Sequence, residues 1–378
     1  LKAENPLWGD YCGLEHALWF APQGSAAHEE VTFRRSNAHE HVGAECRAVR
    51  DAVGMIEISN YGKFEVTGRD AERWLGRVMA NKVPAKGRVT LTPMLNERGK
   101  LIGDFTMCRI NAERFLLIGT YAAERFYQRW FEARTAGFDV QVRACAMEWL
   151  GLALAGPASR DVLQTLVDED LSTKAFPFMS FGAMDVGLVP ALVGRLSFTG
   201  ELGYEIWVKN EFQRELYTRL VAAGKTFGLR HFGGRALNSL RMEKSFGSWA
   251  REYRPIYGPY EAGLDRFVDL NKPEFVGREA AVAEKSQGGA RKLITLEIDA
   301  RDCDAIADEP IWLDGKVVGW VTSGAYGHAS RKSLALGYVD AACAQATHGF
   351  EVELIGERRP ALRLATPAVD PTGQRMRT

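Results

Sequence analysis

The chain has 378 residues, 46% of them apolar and 25% charged, enough for two or three domains with substantial cores. Lys plus Arg and Asp plus Glu are equal at 48 each, so no net field favours nucleic acid or an anionic membrane surface. No apolar run reaches the length of a membrane span, no secretory leader pattern opens the chain, and six scattered cysteines without CxxC spacing suit unpaired thiols in a reducing compartment, the cytoplasm.

The opening stretch, residues 5–36, is rich in aromatics and poor in periodicity. Two Trp and a Phe so close together (Trp8, Trp19, Phe20) predict that it packs against the body of the protein. Val42, Cys46, Val49 and Val53 then recur at three or four residues, which predicts a helix. Residues 62–68 read as a strand and 69–81 as a second amphipathic helix. Residues 87–120 suit an antiparallel meander with turns at "NERGK" and "INAER", and 121–137 return to helix. A strand at 149–155 ends in a Gly-Pro turn, and the helix after it has Ser159 as its expected cap. After Gly203 the chain alternates, with Tyr204, Ile206 and Val208 on one face and Glu205 and Trp207 on the other. Helices are predicted at 210–228 and 233–247. A hydrophilic link at 284–292 leads to a strand-rich tail, which predicts a small separate β domain. The fold class is α+β, built on meanders and without a repeating βαβ unit.

GxGxxG after a strand, GxxxxGK[ST] and GxSxG are all missing, which removes the main support for dinucleotide, P-loop and serine-hydrolase chemistry. His39 and His41 would point different ways on a helix start and lack a third ligand, so a surface or cap role outweighs a metal site. His328 sits in a turn and is expected to be structural.

Two carboxylates stand out. Asp104 lies where a strand leaves a turn, flanked by Ile102, Phe105 and Met107; alone, it is most simply a turn acid capping a backbone amide. Glu205 shares its strand face with Trp207, so it is a carboxylate set into an apolar surface, costly if unpaired. Glu201, two residues after Thr199, reads as a turn residue. Arg235 opens a helix after two glycines and, alone, would pair with Glu243 or a neighbour. The chemistry that would join Asp104, Glu205 and Arg235 is recognition of a flat heterocycle. A carboxylate's two oxygens accept a pair of parallel N–H donors, such as the aminopyrimidinone edge of a pterin presents.

Several motifs then align in order. "LALAGPASRDVL", "SFTGELGYEI", "GGRALNSLRMEKSFG" and "PYEAGLDRFVDLNKPEFVGREA" resemble those of the glycine-cleavage T-protein (aminomethyltransferase) family. "LEHALWFAP", "GKFEVTG", "TPMLNERGKLIGD" and "TSGAYGHASRKSLALGYV" resemble its form in the folate-binding C-terminal half of dimethylglycine and sarcosine dehydrogenases. The resemblance implies a three-lobed α+β fold with antiparallel sheets, tetrahydrofolate in a central channel and a C-terminal β-barrel. It divides the chain into an aromatic-rich extension (1–45), a folate-binding region of two intertwined lobes (46–287) and the barrel (288–378).

The same resemblance implies roles for individual residues. Asp104 takes the catalytic position, the second acid of the family's Asp-Asp pair, and Gly103 replaces the first. Glu205 becomes the pterin-binding glutamate and Arg235 the family's site arginine. Phe198 falls where T-proteins use tyrosine, and Leu116, Ile118, Thr120 and Tyr61 fall at pterin-lining positions.

The implied reaction is transfer of a methyl, methylene or aminomethyl unit from a small N-methyl or similar donor to N5 of tetrahydrofolate. Ionised Asp104 would steady a cationic methylene species and, with an ordinary pKa, act only weakly as a base. The chain has no flavin or nucleotide fingerprint, so a flavoprotein partner or fused flavin domain is expected to oxidise the donor. Two other readings stand beside this one: a stand-alone demethylase using an S- or O-methyl donor such as a sulfonium compound, and a non-catalytic folate-binding maintenance protein.

Overall fold

The protein is described by a computed structural model covering residues 1–378. It opens with a hairpin, β1 (Pro6–Tyr11) and β2 (Leu14–Phe20), in the stretch that shows no periodicity in sequence. Cys12 and Gly13 turn the chain with φ of 54° and 82°, the positive pair that a tight hairpin turn requires. There follow α1 (Ala38–Asp51), β3 (Gly54–Glu57), β4 (Tyr61–Thr67), α2 (Ala71–Val78), β5 (Val89–Leu95), β6 (Leu101–Arg109), β7 (Arg114–Thr120), α3 (Glu124–Glu132) and β8 (Gln141–Ala144). The second lobe continues with β9 (Trp149–Ala155), α4 (Ser159–Gln164), β10 (Phe181–Val186), β11 (Val189–Gly194), β12 (Gly203–Lys209), α5 (Gln213–Gly224), β13 (Arg230–His231), α6 (Gly234–Glu243) and α7 (Arg278–Gln287). Six further strands, β14 (Arg291–Ile298), β15 (Pro310–Leu313), β16 (Lys316–Gly327), β17 (Lys332–Asp340), β18 (Phe350–Leu354) and β19 (Glu357–Leu364), close into a barrel.

Two sheets face each other. One has the order β10-β11-β12-β9-β3-β13 and is antiparallel except for β3 beside β13; the other runs β5-β6-β7-β4-β8. The two-residue period of a strand assigns each sheet an outer and an inner face. On the outer face of the first, Tyr204, Ile206 and Val208 pack on Val162 and Leu163 of α4 and on Leu216 and Leu220 of α5. On the outer face of the second, Phe64, Phe105, Met107, Phe115 and Leu117 pack on α2 and α3 through Trp74, Leu75, Tyr127 and Phe131. Between the sheets, Trp207, Leu192 and Phe181 meet Cys108, Leu116 and Ile118. The result is a helix–sheet–sheet–helix stack with the barrel, which has its own core, beside it.

The barrel docks on α6: Ser239 donates to the Tyr326 carbonyl at 2.7 Å and Asn238 to that of Gly324 at 3.2 Å. The N-terminal hairpin docks on the same helix and on α1, burying Trp19 among Val42, Cys46, Val49, Ala236 and Leu240. His41 stacks on Trp19 with parallel rings 5.3 Å apart, while His39 packs on Tyr326 and His328 of the barrel, so the two histidines do diverge, but into packed surfaces.

Three local expectations change. Ser159 is the first residue of α4 and not its cap; its hydroxyl donates to the Leu202 carbonyl at 3.2 Å and ties the helix to the start of β12. Residues 284–287 of the hydrophilic link belong to α7. Glu201 lies in the turn before β12 but is buried, with Arg50 at 2.6 Å and Arg375 at 2.8 Å. The ion-paired acid of this stretch is therefore Glu201, while Glu205 has no cation.

Candidate functional site

Glu205 projects from the inner face of β12. Its neighbours across the ladders are Gly194 of β11 and Ala153 of β9, so nothing larger than a methyl flanks it. Beside it on the same face, Trp207 lies opposite Gly151, where a Cβ would meet the indole ring at 2.6 Å. The absence of a side chain at 151 therefore seats the indole, while at Gly194 a Cβ would fall 2.7 Å from Leu196, whose side chain occupies that space.

The facing sheet supplies a row of three. Tyr61 of β4 pairs with Thr120 of β7. The β6–β7 register of Thr106 with Ile118, carried two residues further, sets Asp104 beside Thr120; a Cβ on Gly119 would lie 3.2 Å from the Asp104 carbonyl oxygen. Direct cross-strand neighbours share a face at about 5 Å between Cβ atoms, so Tyr61, Thr120 and Asp104 line up on the inner face. Ile118 and Leu116 continue that face down β7 and are buried against Trp207. At Gly103 a Cβ would fall 2.8 Å from the Phe105 ring and 3.0 Å from that of Tyr127. Aromatic packing thus fills the place from which a first acid would project, leaving Asp104 alone.

Both carboxylates keep some solvent contact, yet burial dominates their ionisation, as expected of groups recessed in an internal cleft. Burial pushes Asp104 up to about 6 and Glu205 to about 7, the latter against a hydrogen-bonding contribution from the Trp207 indole. No cation acts on either group. The ordinary pKa expected for Asp104 is therefore corrected, because its own backbone amide only partly offsets its desolvation and no cation does so. Burial raises the Tyr61 phenol, and Glu205 and Asp104 both add to the rise. Asp104 likewise adds to the burial that raises Tyr127 of α3 and Tyr253, in the loop after α6.

Phe198, in the 195–202 segment, stacks on Phe246 with ring centroids 5.9 Å apart. Arg235 is not brought to this group. It stands half exposed on the first turn of α6, where Glu29 takes Nε at 2.9 Å and Nη2 at 2.8 Å. The inward arginine of that helix is Arg241, six residues or about 9 Å further along. It is held by Asn238 and the Phe246 carbonyl, both at 3.0 Å, and acts on Tyr253. Tyr253 and Tyr127 carried no sequence signal, since one lies in an irregular loop and the other in a helix whose apolar stripe accounts for it. Tyr11 was hidden in the aperiodic opening stretch; its hydroxyl lies 3.3 Å from Thr120 Oγ1.

A two-sheet core with an attached barrel thus encloses two recessed carboxylates that no cation balances. Residues 1–272 match the GCVT N-terminal domain model and residues 291–370 the glycine cleavage T-protein C-terminal barrel domain. The chain belongs to the glycine cleavage T-protein family, whose members bind tetrahydrofolate, and it is a folate-dependent one-carbon transferase. It is 38% identical over 364 residues to the mitochondrial dimethylglycine dehydrogenase of Mus musculus, covering 96% of this chain and 42% of that one. To an aminomethyltransferase of Desulfitobacterium hafniense (strain Y51) it is 31% identical over 315 residues, covering 83% of this chain and 86% of the relative. The chain thus spans less than half the length of the dehydrogenase it matches. The aminomethyltransferase T structure from Bartonella henselae superposes with a TM-score of 0.84 at 24% identity over 98% of this chain and 96% of that one, which establishes the shared fold.

Proposed function

We propose that the chain transfers a one-carbon unit from a small N-methyl donor to tetrahydrofolate, as the folate-using half of a dimethylglycine- or sarcosine-type system. The observation that carries this reading is the pair of recessed carboxylates, Glu205 and Asp104, on facing sheets with no cation to balance them. The cleft fits a reduced pterin. Ionised Glu205 would accept the paired N–H donors of its aminopyrimidinone edge, and Ile118, Phe198 and Tyr61 would supply walls. When bound, tetrahydrofolate supplies the nucleophilic nitrogen that receives the carbon. Asp104 would steady positive charge on the donor, and a pKa near neutrality also suits it to take a proton, a stronger role than an ordinary carboxylate has.

The chain's relatives include the dimethylglycine and sarcosine dehydrogenases of Mus musculus and a 4-methylaminobutanoate oxidase of Paenarthrobacter nicotinovorans, and the three substrates in those names are all N-methyl amines. This favours an N-methyl donor over a sulfonium or an O-methyl compound. We assign oxidation of that donor to a flavoprotein, as a partner or a fused domain. The near-neutral acid favours a catalyst over a binding-only protein.

The test combines folate binding, followed by Trp207 fluorescence, with a donor screen. Dimethylglycine, sarcosine, betaine and a sulfonium are offered with tetrahydrofolate and an amine-oxidising flavoprotein, and 5-methyl and 5,10-methylene products are separated by mass. Asp104→Ala should abolish transfer and retain folate affinity. Glu205→Ala should weaken folate binding by ~1–3 kcal/mol, the cost of losing a recessed hydrogen-bond partner. Undiminished affinity in Glu205→Ala would overturn the pterin assignment, and wild-type turnover in Asp104→Ala the catalytic one.

A further inference from the structure

We propose that Tyr11 is a positioning residue of this site: the N-terminal hairpin carries it over the Tyr61–Thr120–Asp104 row, where its ring walls off Asp104 and its hydroxyl orients that of Thr120. The proposal deepens the one-carbon reading, which it needs only to identify the walled side as the donor side.

The hairpin is firmly based. Buried Glu45 of α1 accepts the Phe20 amide at 2.7 Å and the Gly233 amide at 2.9 Å, clamping the end of β2 to the start of α6. Trp19, 1% exposed, adds its stack on His41. The opposite end is free of such clamps: an exposed Cys12 and Gly13 form the turn, and Tyr11 is the last residue before it. From there a single hydrogen bond, 3.3 Å long and bridging 109 positions of sequence, reaches Thr120. Thr120 is the middle member of the row, with Tyr61 on one side and Asp104 on the other.

The contact with Thr120 sets the Tyr11 hydroxyl one residue along the row from Asp104. Asp104 and Tyr11 both add to the burial that raises the Tyr61 and Tyr127 phenols, in keeping with that placement. Asp104 also acts on Tyr253, in the loop after α6, where Glu252 and Arg241 act as well; no cation acts on Asp104 itself. A phenol is a better donor than an aliphatic hydroxyl, so in the proposed arrangement Thr120 Oγ1 accepts, which leaves its own proton free to turn toward the carboxylate. A ring at this place keeps bulk water from the carboxylate and from whatever cation it attends.

The test uses the full chain labelled with carboxyl-13C aspartate, with the Asp104 resonance identified by its loss in Asp104→Asn. Without folate, wild-type Asp104 should titrate near 6. Tyr11→Ala hydrates the carboxylate and should lower the midpoint by about one pH unit, toward the ordinary carboxylate range. Tyr11→Phe and Thr120→Val, which keep a ring over the row but break its hydrogen bond, should each raise it by a smaller, measurable step, because a hydroxyl turned to the carboxylate stabilises its ionised form, and both keep the readout available if Tyr11→Ala folds poorly. A second readout is the air oxidation of bound tetrahydrofolate, expected to run severalfold faster in Tyr11→Ala at saturating protein. A Tyr11→Ala midpoint equal to wild type, or no shift in both hydrogen-bond variants, overturns the proposal. Failure of the wild type to bind tetrahydrofolate would defeat the proposed function instead, and the folate-free titration would still decide the role of Tyr11.

Discussion

With a pKa of about 7, Glu205 in the empty cleft is half ionised at neutral pH, and that state couples binding to protons. The pterin clamp uses the carboxylate, so binding must release the proton the carboxyl carries. Folate affinity should rise about tenfold per pH unit as pH climbs toward 7 and level off above it. Calorimetry in two buffers of different ionisation enthalpy reads the released proton, and Glu205→Gln should abolish the slope. The same shift has a stability consequence. Glu205 has a folded pKa above its unfolded value of 4.5, so between about pH 4 and 7 the folded chain binds more protons, and stability falls as pH rises through that window. Glu205→Gln should therefore stabilise the folate-free protein at pH 8, by on the order of 1–3 kcal/mol, and change little at pH 4. Chemical denaturation at the two pH values checks it; equal effects at both would remove the desolvation account. The sequence made the face of Glu205 legible, because alternation alone sets it beside Trp207. Its lack of a partner was not legible, since its ladder neighbours, Gly194 and Ala153, come from strands that only the tertiary pairing brings alongside.

Among the elements, the N-terminal hairpin and α6 separate what a local pattern can show from what docking decides. Aromatic density showed that the opening stretch must pack, and Trp19 does. The hairpin itself escaped notice because its turn is Cys12-Gly13, without the Asn-Gly or Asp-Gly signal, and because its strands are half buried on both faces. Its anchor, Glu45, reads in sequence as an ordinary helix acid; burial pushes it to about 7 against the two amides that hold its carboxylate. Glu45→Ala strands both amides and should cost ~2–3 kcal/mol. Limited proteolysis should then cut faster between residues 21 and 37 as the hairpin loosens, with unfolding midpoints measured in parallel. The error at Arg235 has a similar origin. A motif carried over by sequence cannot say which arginine of α6 faces inward, and the helical phase, fixed by docking on the hairpin and barrel, turns Arg235 to Glu29 and buries Arg241 against the Phe246 carbonyl and Glu252. The meander, the strand β12 and the barrel strands were legible because their apolar positions alternate; β10 and β11 had too little contrast between their faces to register.

At the scale of the whole molecule, one buried ionic network ties the lobes together. Arg50 of α1 reaches Glu201, in the turn that launches β12, at 2.6 Å and Glu243, at the end of α6, at 2.8 Å. Glu243 also accepts the Ala329 and Ser330 amides of the barrel, both at 2.8 Å. Arg50→Met would leave Glu243 buried without a cation, while Glu201 keeps Arg375. Breaking one side of a buried pair costs about 3–5 kcal/mol, most of it the desolvation of the acid left behind. Two further outcomes distinguish this from a general loss of packing. Adding Glu243→Gln to Arg50→Met should recover a substantial part of the loss, because the stranded charge goes with it. Folate affinity should also fall in Arg50→Met, since Glu201 sets the turn from which β12 carries Glu205 into the cleft. Arg235→Ala is the matched control: its half-exposed pair with Glu29 should be worth less than about 1 kcal/mol and leave folate affinity unchanged. Denaturant titration with fluorescence-monitored folate binding on all four proteins settles it. A loss under about 1 kcal/mol in Arg50→Met, or no recovery in the double variant, would mean that the lobes are held by apolar contact and that the network is incidental.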